Sequence, residues 1–238
     1  VHTVEEFDPD PYLDALDKYH ARPMADNWGP SIAGLDMDNI VTYVKPNTDQ
    51  KSDWDSLPDD VKNTFDRLGI PEAERSYLAG VGAQYDSELV YHSMQESASK
   101  MGIVYSGIEE ALQDPKWEGI IHDHFMKLIP PTDHKFAALH GAVWSGGSFV
   151  YVPAGVQLDY PLQSYFRLNA RGAGQFEHTL IIVEDDASLH FIEGCSAPKY
   201  NVANLHAGAV ELFVGQRAHL RYSTIENWSK NMYNLNTK

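Results

Sequence analysis

Apolar and polar positions alternate along the second half of the chain, whereas parts of the first half follow a helical period. Three stretches align without gaps at a constant offset of 31 residues: "VYVPAGVQLDY" (150–160), "IIVEDDASLHF" (181–191) and "LFVGQRAHLRY" (212–222). Val152, Val183 and Val214 coincide, as do Val156, Ala187 and Ala218, then Leu158, Leu189 and Leu220, then Tyr160, Phe191 and Tyr222. The positions between them are polar: Gln157 and Asp159, Ser188 and His190, His219 and Arg221. A period of two with one apolar and one wet face predicts a strand, preceded by a turn at "PAG", "EDD" or "GQR". The same half-buried strand at a fixed spacing predicts stacked rungs, and the strand content favours a parallel β-helix. A jelly roll is the alternative, but it gives no reason for a constant offset. Tyr151, Ile182 and Phe213 form a second apolar column on the opposite face. The helical first half or a partner subunit could cover that column, and the former is the more economical expectation.

The first 130 residues read as helical and irregular. "DPDPYLDALDKYHAR" carries Tyr12, Leu13, Leu16 and Tyr19 at helical spacing. "SLPDDVKNTFDRLG" offers Ser56 as N-cap, Pro58 in the first turn, a stripe of Val61, Phe65 and Leu68, and Gly69 as a stop. "SGIEEALQD" places Ser106 and Glu109 at capping-box spacing. Gly, Pro, Asn and Asp crowd 21–53, which predicts irregular structure. Pro130 and Pro131 mark a boundary, so the expected organisation is α+β: a helical and irregular region over 1–130, then the first rungs of the solenoid over 131–238.

Charge and composition narrow the function. A net charge of −16 argues against nucleic acid or an anionic membrane as partner, because phosphates need Lys and Arg. The single cysteine cannot close an internal disulfide. "VHTVEEFDPDPY" lacks the apolar core of a signal peptide, and "LIIV" (180–183) is too short to span a bilayer. The chain therefore reads as cytoplasmic. "HDH" at 122–124, with His134 and His140, lacks zinc-ligand spacing, and i and i+2 on a helix point apart. No metal site is expected within the chain. "GVGAQ" (80–84) and "GAGQ" (172–175) lack the Lys-Ser/Thr ending of a phosphate loop.

Cys195 has two readings. A lone cysteine is commonly a buried small hydrophobe. Gly194 and the turn "SAP" (196–198) instead put it at a strand end, where function concentrates. The 31-residue offset places Glu226 on the following rung and Ser164 on the preceding one, with strands about 4.8 Å apart. Arg167 and Trp228 lie close in sequence to those two positions.

Five blocks carry a resemblance: "LAGVGAQYDSELVYH" (78–92), "GSFVYVPAGV" (147–156), "QSYFRLNA" (163–170), "GQFEHTLIIVEDDASLHFIEGCSAP" (174–198) and "TIENWSKNMYNLNTK" (224–238). Together they resemble the SufB/SufD family, and the SufB-type members more than the SufD-type. The resemblance implies a right-handed parallel β-helix after a helical N-terminal region. It implies a scaffold rather than an enzyme, which accepts persulfide sulfur from a cysteine desulfurase and its sulfur-transfer partner and builds a nascent Fe–S cluster. The implied partners are a SufC-type ATPase and a SufD-type paralogue. The family's sulfur path matches Arg167, Asn169, Cys195 as acceptor, and Trp228, with Glu226 where Gln occurs in other members. Family members are about twice this length, so the chain reads as an N-terminal fragment whose solenoid is incomplete at the C-terminus. The Fe–S cluster, a transient passenger of the complete protein, is not expected on this fragment alone, which has one thiolate to offer. Two other readings are a β-helical carbohydrate-active enzyme, for which the wet-face residues Asp159, His190 and Arg221 are too mixed, and an interaction module with an inert cysteine.

Overall fold

A computed structural model describes residues 9–24, 29–67 and 78–238. Six α-helices fall within them: α1 (Asp10–Ala21), α2 (Asp59–Arg67), α3 (Glu96–Lys100), α4 (Ile108–Leu112), α5 (Pro115–His124) and α6 (Lys135–Val143). The strands are β1 (Gly80–Tyr85), β2 (Glu88–Met94), β3 (Val104–Gly107), β4 (Ser148–Val152), β5 (Leu162–Arg167), β6 (Gly174–Gln175), β7 (His178–Val183), β8 (Ser188–Ser196), β9 (Asn204–His206), β10 (Ala209–Val214), β11 (His219–Asn227) and β12 (Met232–Asn234). None of these helices is long and apolar enough to cross a membrane.

The strands form three small sheets, ordered β11-β8-β5-β1-β2, β10-β7-β4-β3 and β12-β9-β6. This corrects the expected parallel β-helix solenoid. The protein is mixed α/β, and its two larger sheets combine parallel and antiparallel pairs: β2 runs antiparallel to β1, and β3 antiparallel to β4. The helical and irregular reading of the first 130 residues is incomplete: α1 to α5 lie there, but so do β1, β2 and β3, which pair with β5 and β4. β1 escapes detection because both its faces are buried, which leaves no alternation to read.

The 31-residue offset is the register of some parallel ladders. Val183 sits between Val152 and Val214, and Leu189 faces Leu220. Between β5 and β8 the offset shortens to 29, since Leu162 pairs with Phe191. Tyr160 is exposed, and Leu162 takes its place against Phe191 in the core. A shift of two preserves which face each side chain occupies. It nevertheless pairs Ser164 with Glu193, and Phe166 with Cys195.

Val150, Val152, Ile181 and Val183 pack face to face with Leu162, Leu189 and Phe191 to form the main core. The second column, Tyr151, Ile182 and Phe213, lies under α4 and α5, against Ile108, Ala111, Trp117 and Ile121. Asp114 caps α5 by accepting from the Lys116 N–H at 2.9 Å, and Pro115 occupies its first turn. Two expected caps fail. The Ser56 hydroxyl bonds Asp53 within a 3₁₀ turn, and α4 starts after Gly107 with Ser106 still in β3. Val61 and Phe65 of α2 are buried as their spacing predicts, while Leu68 and Gly69 lie outside the described residues. In α1 the buried position is Ala15, and Leu13 faces solvent.

Candidate functional site

Cys195 lies near the end of β8, is 2% exposed, and pairs in register with Phe166 on one side and Glu226 on the other. Because side chains alternate along a strand, Ser164, Phe166, Glu193, Cys195, Thr224 and Glu226 occupy one face. This is the inner face, continuous with Leu189 and Phe191. Arg167, Ser196 and Asn227 occupy the other.

The structure thus brings Cys195 and Glu226 together and sets Arg167 on the opposite side of the sheet. Arg167 Nη1 donates to Ser196 Oγ at 3.3 Å and Nη2 to Asn169 Oδ1 at 3.5 Å. Asn169 is itself fixed by its backbone: the Asp86 carboxylate accepts its N–H at 2.6 Å and that of Ala170 at 2.7 Å. Glu226 is exposed and accepts from Asn234 Nδ2 at 2.9 Å. Trp228 stacks obliquely on His206, with ring centroids 4.8 Å apart, and its buried Nε1 has no acceptor among the described residues. Ser164 does not neighbour Cys195. Its hydroxyl bonds Ser148 at 2.7 Å and Tyr105 at 2.8 Å.

Sequence reasoning missed the group nearest the sulfur. Cys195 Sγ donates to Glu193 Oε1 at 3.5 Å, and Glu193 is wholly buried. The same carboxylate accepts from Lys238 Nζ at 2.5 Å and from the Tyr222 hydroxyl. Lys238 also reaches Thr224 Oγ1 at 3.0 Å. Burial pushes the Cys195 thiol well above the ordinary range, the Glu193 and Glu177 charges push it further, and Lys238 opposes them. The resting sulfur is therefore a protonated thiol. Tyr222 is likewise raised, by burial and then by Glu193.

A second buried pair adjoins this cluster. His206 Nε2 lies 2.6 Å from Glu177 Oε1, and its Nδ1 lies 2.9 Å from Asn234 Oδ1. Burial alone pulls the imidazole down, but Glu177, by charge and hydrogen bond, reverses the sign and the net shift is upward. Glu177 Oε2 has no partner among the described residues. Gly208 makes room for this carboxylate, since a Cβ there would come within 2.1 Å of Glu177 Oε1.

A third buried set lies on the outer face of β7 and β10. His140 Nδ1 meets the Ala207 carbonyl at 3.1 Å, His140 Nε2 meets His178 Nδ1 at 3.0 Å, and His178 Nε2 meets Glu211 Oε2 at 2.9 Å. Glu211 also accepts the N–H groups of Met126, Leu128 and Ile129 at 2.6–2.9 Å. Burial, then the charge of its neighbour His178, drives His140 down to about 3. His178 is also lowered, by burial, with Glu211 opposing. The signal for two of these groups was available: Glu193 and Glu211 each interrupt an apolar column within a strand, and a buried charge demands a partner. "HDH" proves to be a helix end, with His122 and Asp123 exposed and His124 edge-on to Phe213 at 4.6 Å. Among the described residues no three His, Cys, Asp or Glu side chains are grouped to hold a metal ion.

Residues 166–238, the span holding Cys195, Glu193 and the Glu177–His206 pair, match the family described as SUF system FeS cluster assembly, SufBD core domain. The cysteine and its buried neighbours therefore lie in a segment that matches the SufBD core domain. It is 51% identical over 226 residues to the iron–sulfur cluster assembly protein SufB of Bacillus subtilis, which takes in 95% of this chain and 48% of the relative. Iron–sulfur cluster assembly SufBD family proteins of Staphylococcus epidermidis and Staphylococcus aureus are each 50% identical over the same shares. The chain spans about half the length of the curated relatives it matches.

Proposed function

We propose that this chain acts in iron–sulfur cluster assembly as the sulfur-receiving part of a SufB-type scaffold, with Cys195 as acceptor. The observation that carries the reading is the setting of the sole cysteine. An inert core cysteine would be packed among aliphatics, yet Cys195 sits against a buried, ion-paired carboxylate in the segment that matches the SufBD core. A cleft of about 130 Å³, lined by Phe65, Tyr165, Gly194, Cys195, Ile225 and Asn227 among others, reaches the strand beside it. Sulfur arrives as a persulfide from a cysteine desulfurase and its transfer partner. Arg167 and Asn169 flank the strand end on the outer side, where a cationic fork stabilises the thiolate that the donor becomes as it leaves. Glu226 and Trp228 border the inner side, toward which sulfur moves on. The chain works with a SufC-type ATPase and a SufD-type paralogue, and the growing cluster is its cargo.

The test is transfer from ³⁵S-labelled cysteine through a desulfurase and its partner. The wild-type chain acquires label that a reductant releases, and Cys195→Ser acquires none. Equal labelling of both would remove Cys195 from the reaction.

A further inference from the structure

We propose that Glu193 is the base that takes the Cys195 proton when the cysteine accepts sulfur, an inference that rests on the acceptor reading above. The thiolate is the form that attacks a persulfide, and the neutral thiol is a poor nucleophile. In this fold the thiol is held protonated, so attack requires an acceptor within hydrogen-bond reach. Glu193 Oε1, at 3.5 Å, accepts from the Cys195 thiol. Spacing i, i+2 on β8 puts both side chains on one face, and strand geometry holds that relation more firmly than a loop would.

The carboxylate is prepared for this role by its other contacts. Lys238 Nζ, at 2.5 Å, and the Tyr222 hydroxyl hold it oriented toward the sulfur. Its surroundings are water-poor, with the Tyr222 ring stacked on buried Phe191 beside it, so the proton has few other destinations. Such a carboxylate plays two parts. Its charge disfavours a standing thiolate, and its lone pair removes the proton as the new bond forms.

The step balances without an oxidant. Cys195 Sγ–H, the Glu193 carboxylate and a donor R–S–SH give Cys195 Sγ–SH, the Glu193 carboxylic acid and R–S⁻. The bond from Sγ to the sulfane sulfur forms, the donor S–S bond breaks, and its electron pair leaves on R–S⁻. Sulfane sulfur changes hands with no net redox change. Glu193 is reset when the departing R–S⁻ takes that proton and leaves as R–SH.

The experiment follows persulfidation of Cys195 by glutathione persulfide, read as mass gain against time from about pH 6 to 9, a range over which the thiolate fraction of a cysteine rises. The chains are wild type, Cys195→Ser, Glu193→Gln and Glu193→Asp. Near neutral pH, Glu193→Gln is expected to react about a hundredfold more slowly, the low end of what a positioned base contributes. Its deficit shrinks as rising pH supplies thiolate directly, which a structural role would not produce. Glu193→Asp, which keeps an acceptor at greater distance, is expected to lose several-fold and to carry the test if the Gln variant does not fold. A Glu193→Gln or Glu193→Asp rate equal to or above wild type overturns the proposal and leaves the acceptor reading intact. A wild-type chain that gains no sulfur, or a Cys195→Ser chain that gains as much, overturns both.

Discussion

At the scale of single residues, what distinguishes the site is that its charges are buried in pairs. Removing one member of such a pair leaves an uncompensated charge in a poorly solvated place. Gly208 tests this without touching the pair itself. Its missing side chain is the space that Glu177 occupies beside His206. Gly208→Ala is expected to displace the carboxylate and to cost on the order of 3 kcal/mol, read as a lower denaturant midpoint. Gly119, exposed on α5, serves as the contrast, because a methyl group added there would meet nothing within 4 Å. Gly119→Ala is expected to stabilise by about 0.5–1 kcal/mol through helix propensity. Equal effects at the two positions would contradict the pairing argument. Cys195 itself was legible as a candidate, because one cysteine before a proline turn draws attention. Glu193 was legible in part, since it continues the apolar column of Ala187, Leu189 and Phe191 at period two, whereas its contact with Lys238 was not, because it depends on how distant strands meet.

At the scale of elements, the buried histidines act as a clamp between the helices and the sheets. Glu211 on β10 gathers three backbone N–H groups from the segment after α5, while His178 links it to His140 on α6. Glu211→Ala leaves those donors and His178 without their acceptor and is expected to destabilise by about 3–5 kcal/mol. Amide hydrogen exchange then shows protection lost first over 126–129. Unchanged exchange there would mean that the segment is held by its apolar contacts alone. Strand periodicity is readable wherever one face is wet, as at Gln157 and Ser188. It fails for β1, which is buried on both faces, and for the junction at Tyr160, where two residues leave the register. The caps fail for a related reason. Ser56 and Ser106 have the right spacing, but a 3₁₀ turn and a strand claim their backbones first. The solenoid expectation extends a constant offset through positions where the pairing shifts and into a region where antiparallel partners close the sheets.

At the scale of the whole molecule, the same buried groups set the response to acid. His140 stays neutral in the folded chain down to about pH 3, whereas the unfolded imidazole protonates near 6.5. Between those values the unfolded state binds the extra proton, so stability falls as pH falls. One such group costs up to about 1.4 kcal/mol per pH unit once the pH is well below 6.5. His178, also depressed, acts in the same direction. The melting temperature is therefore expected to drop as the pH falls from 6.5, the ordinary imidazole value, to about 5. In His140→Asn, whose amide can keep the bond to the Ala207 carbonyl, the slope flattens. A wild-type melting temperature that is level over that range would place the cause elsewhere.

The central claim is that the folded chain presents Cys195 for sulfur, in a setting built around it. The most direct measurement is peptide mapping of the chain after exposure to a persulfide donor, run once on the folded chain and once in denaturant. The folded chain is expected to gain one sulfur on the peptide containing Cys195. A cysteine that is modified in denaturant and untouched in the folded chain would contradict the claim, leaving Cys195 an ordinary buried thiol.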